Sequence, residues 1–210
     1  MDERTRIAAM QLSRMRGMTA MYHRRFFLDV NITTVLILTL FVVGWFGAEP
    51  AFLLIPVVAL IGAVQTAFDS SYLTFARWYA AYLERYLNEL LGARIHVAAE
   101  LENTYLFELG SPKIVTIPMA GGFTWFSFVT IFYTVIGALA YVFGLVLGWE
   151  ALVSAPVGIT ALYLASLIGV TLAALLVGTW WFATGEGERR LAAVLEGRFG
   201  EAVDTSGEAD

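Results

Sequence analysis

The chain reads as an all-α integral membrane protein: four transmembrane helices forming two hairpins, with long amphipathic helices on the cytoplasmic side. Three observations predict this. Hydrophobic residues make up 59% of the chain and charged ones 15%, with a mean hydropathy of +0.71, whereas a soluble domain sits nearer half apolar and a quarter charged. Four apolar stretches each approach the ~20 residues that a helix needs to cross a bilayer. Finally, all 13 Lys and Arg residues lie outside the two shortest gaps between those stretches. The gaps, at 47–51 and 148–151, carry only Glu49 and Glu150. Basic residues near span ends are retained in the cytoplasm. The expected topology therefore has both termini and the middle segment in the cytoplasm, with two tight turns outside. The compartment expected is the cytoplasmic (inner) membrane of a prokaryote.

The expected organisation has five parts: a basic cytoplasmic helix at 1–28, a first hairpin at 29–68, a cytoplasmic helical segment at 69–121, a second hairpin at 122–183, and a C-terminal helix with an acidic tail at 184–210. The N-terminal part carries six arginines (Arg4, Arg6, Arg14, Arg16, Arg24, Arg25) among Ile7, Met10, Met15 and Phe26. Such a helix can lie on anionic headgroups or pack against the middle segment. The first span, 29–46, is rich in β-branched residues, poor helix formers in water. In a lipid core the backbone has no partner but itself, so the helix forms anyway. Pro50 suits a first helical position, where its missing N–H costs little.

No strong breaker follows until Gly92, so the second span is expected to continue into the cytoplasm as one rod over 51–91, with Asp69 a possible bend. Its cytoplasmic half repeats Tyr72, Phe75, Ala76, Tyr79, Leu83, Tyr86, Leu87 and Leu90 at helical spacing, a stripe that needs a partner. That partner is either the chain's own terminal helices or another subunit. Thr74, Arg77, Ala81, Glu84, Arg85, Asn88 and Glu89 fill the other face. Residues 95–109 form a short helix or hairpin, Ser111-Pro112 a turn, and 113–117 alternates like a strand.

The third span, 123–147, is aromatic at its inner end. The fourth, 152–182, places Ala161, Ala165, Gly169 and Ala173 four apart, and Gly144 and Gly148 repeat that spacing in the third. Small residues so spaced let helix backbones approach closely in lipid. Residues 187–199 make a last amphipathic helix, and the tail after them is polar enough to stay disordered. The two halves share an outline, with Gly44/Gly144 and Pro56/Pro156 each 100 residues apart, the pattern that parallel repeats would leave.

The spans hold little chemistry. Between Asn31 and Gln65, and between Phe123 and Phe182, the charged residues are Glu49 and Glu150, both in turns. Without buried ionisable groups a proton-coupled pump has no relay. There is no cysteine, hence no thiol chemistry or disulfide. His96 and Glu100 share a helix face, but a catalytic zinc usually takes three protein ligands. No phosphate loop, nucleophile elbow or metalloprotease motif occurs. No catalytic residue, metal site or cofactor is therefore expected. A polar stripe of Thr124, Ser127, Thr130 and Thr134 either lines a pore or makes ordinary helix hydrogen bonds.

The layout, hairpins joined by long cytoplasmic helices, resembles in outline the small membrane effector proteins of bacterial defence systems. It shares no motif with them, so no residue role carries over. The expectation is a non-enzymatic, self-associating scaffold or regulatory subunit of a membrane complex. The alternative is an oligomeric ion or small-solute channel, lined by the third span and gated by the cytoplasmic helices. Expected partners are the lipid bilayer, further copies of the chain, and a cytoplasmic or membrane protein; nucleic acid is not among them.

Overall fold

A computed structural model describes residues 3–110, 113–115, 117–118 and 124–204. They are helical almost throughout, and four helices are long and apolar enough to cross a membrane. The chain is thus a multi-pass membrane protein. Helix α1 spans Glu3–Trp45, and α2 spans Leu54–Leu91 after a 3-10 turn at Glu49–Leu53. A short α3 covers Ala98–Tyr105, and Lys113–Ile114 pairs with Ile117–Pro118 in a two-residue antiparallel ladder. Then follow α4 (Trp125–Leu147), α5 (Trp149–Ser154), α6 (Val157–Ala183) and α7 (Glu186–Asp204).

Helix α1 does not break where the basic segment meets the first span. Residues 3–45 contain no proline and a single interior glycine pair far apart (Gly17 and Gly44), so nothing local interrupts the backbone ladder. Tertiary packing supports that continuity. Buried positions on α2 run Ala59, Gly62, Asp69, Leu73, Ala76, Ala80, Leu83 and Leu87, and Thr66 fills the one gap in an alternating three–four spacing. That is the seam of a coiled coil. On α1 the matching positions are Ala8, Leu12, Met15, Thr19, Phe26, Val30, Ile37 and Gly44, where the four-residue step from Phe26 to Val30 inserts a stutter. The two helices run antiparallel, from Gln11 beside Tyr79 to Gly44 beside Phe52. At 1.5 Å per residue α2 is about 57 Å long, against about 30 Å of hydrocarbon. Gly92 ends it in the left-handed conformation, φ 59°, with its N–H on Glu89 O.

The seam runs through three apolar clusters. Ala8, Leu12 and Met15 meet Ala80, Leu83 and Leu87 at the far end. Phe26, Val30, Leu73, Phe107 and Phe126 form the middle. Ile37, Phe52, Ile55, Ala59 and Ala140 form the end beside the first turn. Helix α4 lies on α2 through Gly144, where a Cβ would stand 2.9 Å from Ile55 Cβ, Phe52 O and Pro56 Cδ. Gly148 sits as tightly against Leu53, 2.6 Å from its Cδ2.

The second half is looser. The expected fourth span, 152–182, starts late: α5 takes Trp149–Ser154 and α6 begins at Val157, because Pro156 cannot continue α5 and serves instead as the N-cap of α6. Helices α4 and α6 meet at a hydrogen bond between Tyr141 Oη and Thr171 Oγ1, 3.0 Å. Helix α6 also touches the 3-10 turn, through Tyr163 Oη donating to Leu53 O (2.7 Å), and α2, through Trp181 Nε1 donating to Ser71 Oγ (3.2 Å), and it packs on α5, α7 and the strand at Lys113–Ile114. Leu167 is its one buried residue. Helix α7 runs past the expected end at 199 to Asp204. The expected Ser111-Pro112 turn, Phe123 and the last six residues lie outside the described residues.

Candidate functional site: a charged clamp and an uncovered span

The aromatic stripe read from α2 splits in two. Leu83 is buried against α1, and Tyr79 and Tyr86 pack on the same cluster, with Tyr79 Oη donating to Gln11 Oε1 at 2.7 Å. Tyr72 stacks on Tyr22, ring centroids 5.0 Å apart. Phe75 and Leu90 are exposed. The buried seam thus runs along one edge of the stripe, taking Ala76, Leu83 and Leu87 from it and adding Leu73 and Ala80, and the tyrosines flank it. Bulky rings cannot occupy a close seam, whereas alanines can.

The supposed polar face needs a larger correction. Arg77 and Glu84, placed on a solvated side from the pattern, are 1% and 4% exposed, because α3 and the chain after it fold back over them. Arg77 donates three ways: Nε to Glu102 Oε2 (3.1 Å), Nη1 to Phe107 O (2.9 Å) and Nη2 to Asn103 Oδ1 (2.9 Å). Its guanidinium also lies 4.4 Å from the Phe107 ring centre, a cation–π contact. Arg16 of α1 bridges Glu84 and Glu102, and Glu84 accepts the Ala99 N–H at 2.9 Å. Two arginines and two glutamates thereby clamp α1, α2 and α3 together. Asn88 adds a clasp, accepting from Ile95 N (2.9 Å) and His96 N (2.8 Å) and donating to His96 O.

A second charged group sits in the seam. Asp69 is fully buried, opposite Asp29 on α1, and Arg25 Nε lies 3.4 Å from Asp69 Oδ1 and 3.8 Å from Asp29 Oδ2. Counting only the apolar core of each span hid this pair, since the two acids stand where the apolar stretches of α1 and α2 end, 40 residues apart in sequence.

The polar stripe on α4 is used for the helix itself. Thr124 caps α4, its Oγ1 accepting from Ser127 N at 3.2 Å, and its hydroxyl donates to Leu106 O. Ser127 and Thr130 are buried. Thr130 donates to Phe126 O (3.0 Å), and the exposed Thr134 donates to Thr130 O (2.8 Å). Of the small-residue positions, Gly144 presses on α2 and Gly148 on the 3-10 turn before it, while Ala161, Ala165, Gly169 and Ala173 are all exposed on α6. A Cβ on Gly169 would meet nothing within 4 Å.

Among the described residues no group of three or more His, Asp or Glu side chains could hold a metal ion. His96, expected on one helix face with Glu100, lies before α3 begins at Ala98, and Glu100 is paired with Arg94. At the start of α7, Glu186 accepts from Arg189 (2.9 Å) and Arg190 (2.7 Å). The Arg190 hydrogen bond holds its carboxyl below the usual glutamate range. The chain matches no protein-family model, no curated protein and no solved structure.

Proposed function

We propose that this is a non-enzymatic scaffold of the cytoplasmic membrane. In this reading it self-associates through α6 and presents a rigid α1–α2–α3 rod to a further component on the side of its termini. The observation that carries the reading is the contrast between the two small-residue faces. Gly144 and Gly148 are consumed by packing within the chain. Ala161, Ala165, Gly169 and Ala173 are left open on a span with one buried residue. Van der Waals packing is the main association force in lipid, and it needs such a face on both partners. The clamp supports the second half of the reading. From Asp69 to Leu91 the rod projects about 33 Å at 1.5 Å per residue, and buried ion pairs are better suited to fixing one geometry than to adding stability.

The cysteine-free chain makes the test direct. Single Cys residues at Gly169 and at Gly137, an α4 glycine with equally open surroundings, are oxidised in native membranes. Disulfide-linked dimers at Gly169→Cys and none at Gly137→Cys support association through α6. Equal trapping at both, or none at either, removes the reading.

A further inference from the structure

Asp29 and Asp69 meet across the α1–α2 seam at the level where the rod leaves the apolar stretches. Asp69 is fully buried, and neither of its carboxylate oxygens has a hydrogen-bond partner. Oδ2 of Asp29 is buried and unpartnered as well. Arg25 stands beside both, but at 3.4 Å from Asp69 and 3.8 Å from Asp29 its Nε forms ion pairs and no hydrogen bond. Two carboxylates and one guanidinium leave one negative charge uncompensated in a place closed to water, which is costly. Where two carboxylates share such a place, one keeps its proton well above the pH at which an isolated carboxyl loses it. A proton here would cancel the excess charge and supply an O–H donor to oxygens that lack one.

The surrounding elements bring no competing charge. Among the described residues, the charged and polar side chains that reach Asp69 are Asp29 and Arg25 from α1 and the neutral Gln65 from α2. Helix α4 contains no Asp, Glu, Lys, Arg or His, and beside the seam it contributes Phe126 and Tyr133. His23 stacks on Phe126, ring centres 5.6 Å apart, and burial holds it below the usual histidine range. Asp29 also falls inside the stutter between Phe26 and Val30, where the repeat locally unwinds. The pair therefore sits at the least regular point of the seam.

We propose that Asp29 and Asp69 share one proton, and that this proton closes the α1–α2 seam between the membrane-spanning half of the rod and its projecting half. Loss of the proton leaves two carboxylates facing each other beside one arginine, and the seam loosens there. The switch lies within one chain and does not depend on self-association through α6. The closed seam binds a proton that the opened pair releases, so its stability is full at low pH and is lost as the pH rises through the value at which the closed pair ionises. A buried neutral histidine acts in the opposite sense, its contribution being lost as the pH falls. The direction of the pH dependence thus separates the acid pair from His23.

The test is amide exchange over residues 64–74 of the full chain in detergent, corrected for the intrinsic pH dependence of exchange. Between about pH 5.5 and about pH 8 ordinary carboxylates stay ionised. In wild type the protection is expected to fall about tenfold or more over that range, a factor of ten for each unit by which the closed pair holds its proton more tightly. Asp69→Asn and Asp29→Asn, which keep the shape and remove one charge, should each flatten the profile, while His23→Gln should retain the fall. Infrared difference spectra between the two pH values supply a readout independent of stability. A carboxylic-acid C=O band is expected in wild type and should be missing from Asp69→Asn. The inference fails if wild-type protection is level or rises with pH, if Asp69→Asn keeps the fall, or if His23→Gln abolishes it. It also fails if the infrared band is absent from wild type or persists in Asp69→Asn. Protection that follows sodium concentration at fixed pH would overturn it as well, since the oxygens would then hold a metal cation in place of the proton.

Discussion

Replacing Arg77 by Leu should release α3 from the rod while leaving the membrane spans in place. The substitution keeps much of the volume but removes three hydrogen bonds, at 3.1, 2.9 and 2.9 Å, and a cation–π contact at 4.4 Å. Breaking a buried ion pair by removing one partner costs about 3–5 kcal/mol. Glu102 keeps Arg16 as a second partner, so the lower end applies, about 3 kcal/mol, although Phe107 O and Asn103 Oδ1 lose their donor. The opening is local, so the readout is amide hydrogen exchange over residues 98–109, where about 3 kcal/mol corresponds to exchange roughly 150-fold faster. Exchange in 35–60 should not change. Arg77→Lys keeps the charge but not the planar fork and should fall between. Glu100→Gln is the control: its pair with Arg94 is exposed at both ends, where solvent screening leaves such a pair little to contribute. Exchange over 98–109 in Arg77→Leu within about threefold of wild type would show that the clamp does not hold α3, and would refute the argument from burial.

Gly144→Ala should lower thermal stability by about 1–3 kcal/mol, since its methyl has no room against α2, whereas Gly137→Ala, with open surroundings, should stay within about 1 kcal/mol; equal effects would deny the close approach of α4. Leu83→Ala, at a seam position 3% exposed, should cost about 2–5 kcal/mol, and Tyr79→Phe at the flank about 1 kcal/mol or less, measured by thermal unfolding in detergent. Arg25→Leu leaves Asp29 and Asp69 facing each other across the seam and should destabilise by about 1–3 kcal/mol, with much of the loss recovered when Asp69→Asn is added; additive losses would mean that the two acids do not interact. For orientation, a Cys at Glu49 or Glu150 should react with an impermeant thiol reagent from outside the cell and one at Glu89 should not, and the reverse pattern overturns the topology.

Much of this architecture is legible along the chain because its cause is local. A lipid core demands about twenty apolar residues with their hydrogen bonds made inside the helix, so the four spans show in composition alone. Gly92 and Pro156 are equally local: one can turn left-handed at a helix end, the other cannot continue a helix, and each stands at a boundary. The continuity of α1 was hidden for the opposite reason. Arginines alternating with apolar residues read as a separate surface helix until α2 supplies the seam that runs through both parts.

Length and apolarity therefore determined that this chain has four helices able to cross a membrane, and the placement of basic residues predicts which side holds its termini. Only the tertiary structure decided which faces are used. Arg77 and Glu84 read as solvated from the pattern of one helix, because a charged residue is buried only when distant partners neutralise it, and Glu102, Asn103 and Arg16 are far away in sequence. The same holds for the two glycine faces. Gly144 and Gly169 follow the same spacing rule, yet one is pressed against Ile55 and the other is open. Spacing records that a helix can be approached closely, and only the position of a second helix determines whether it is.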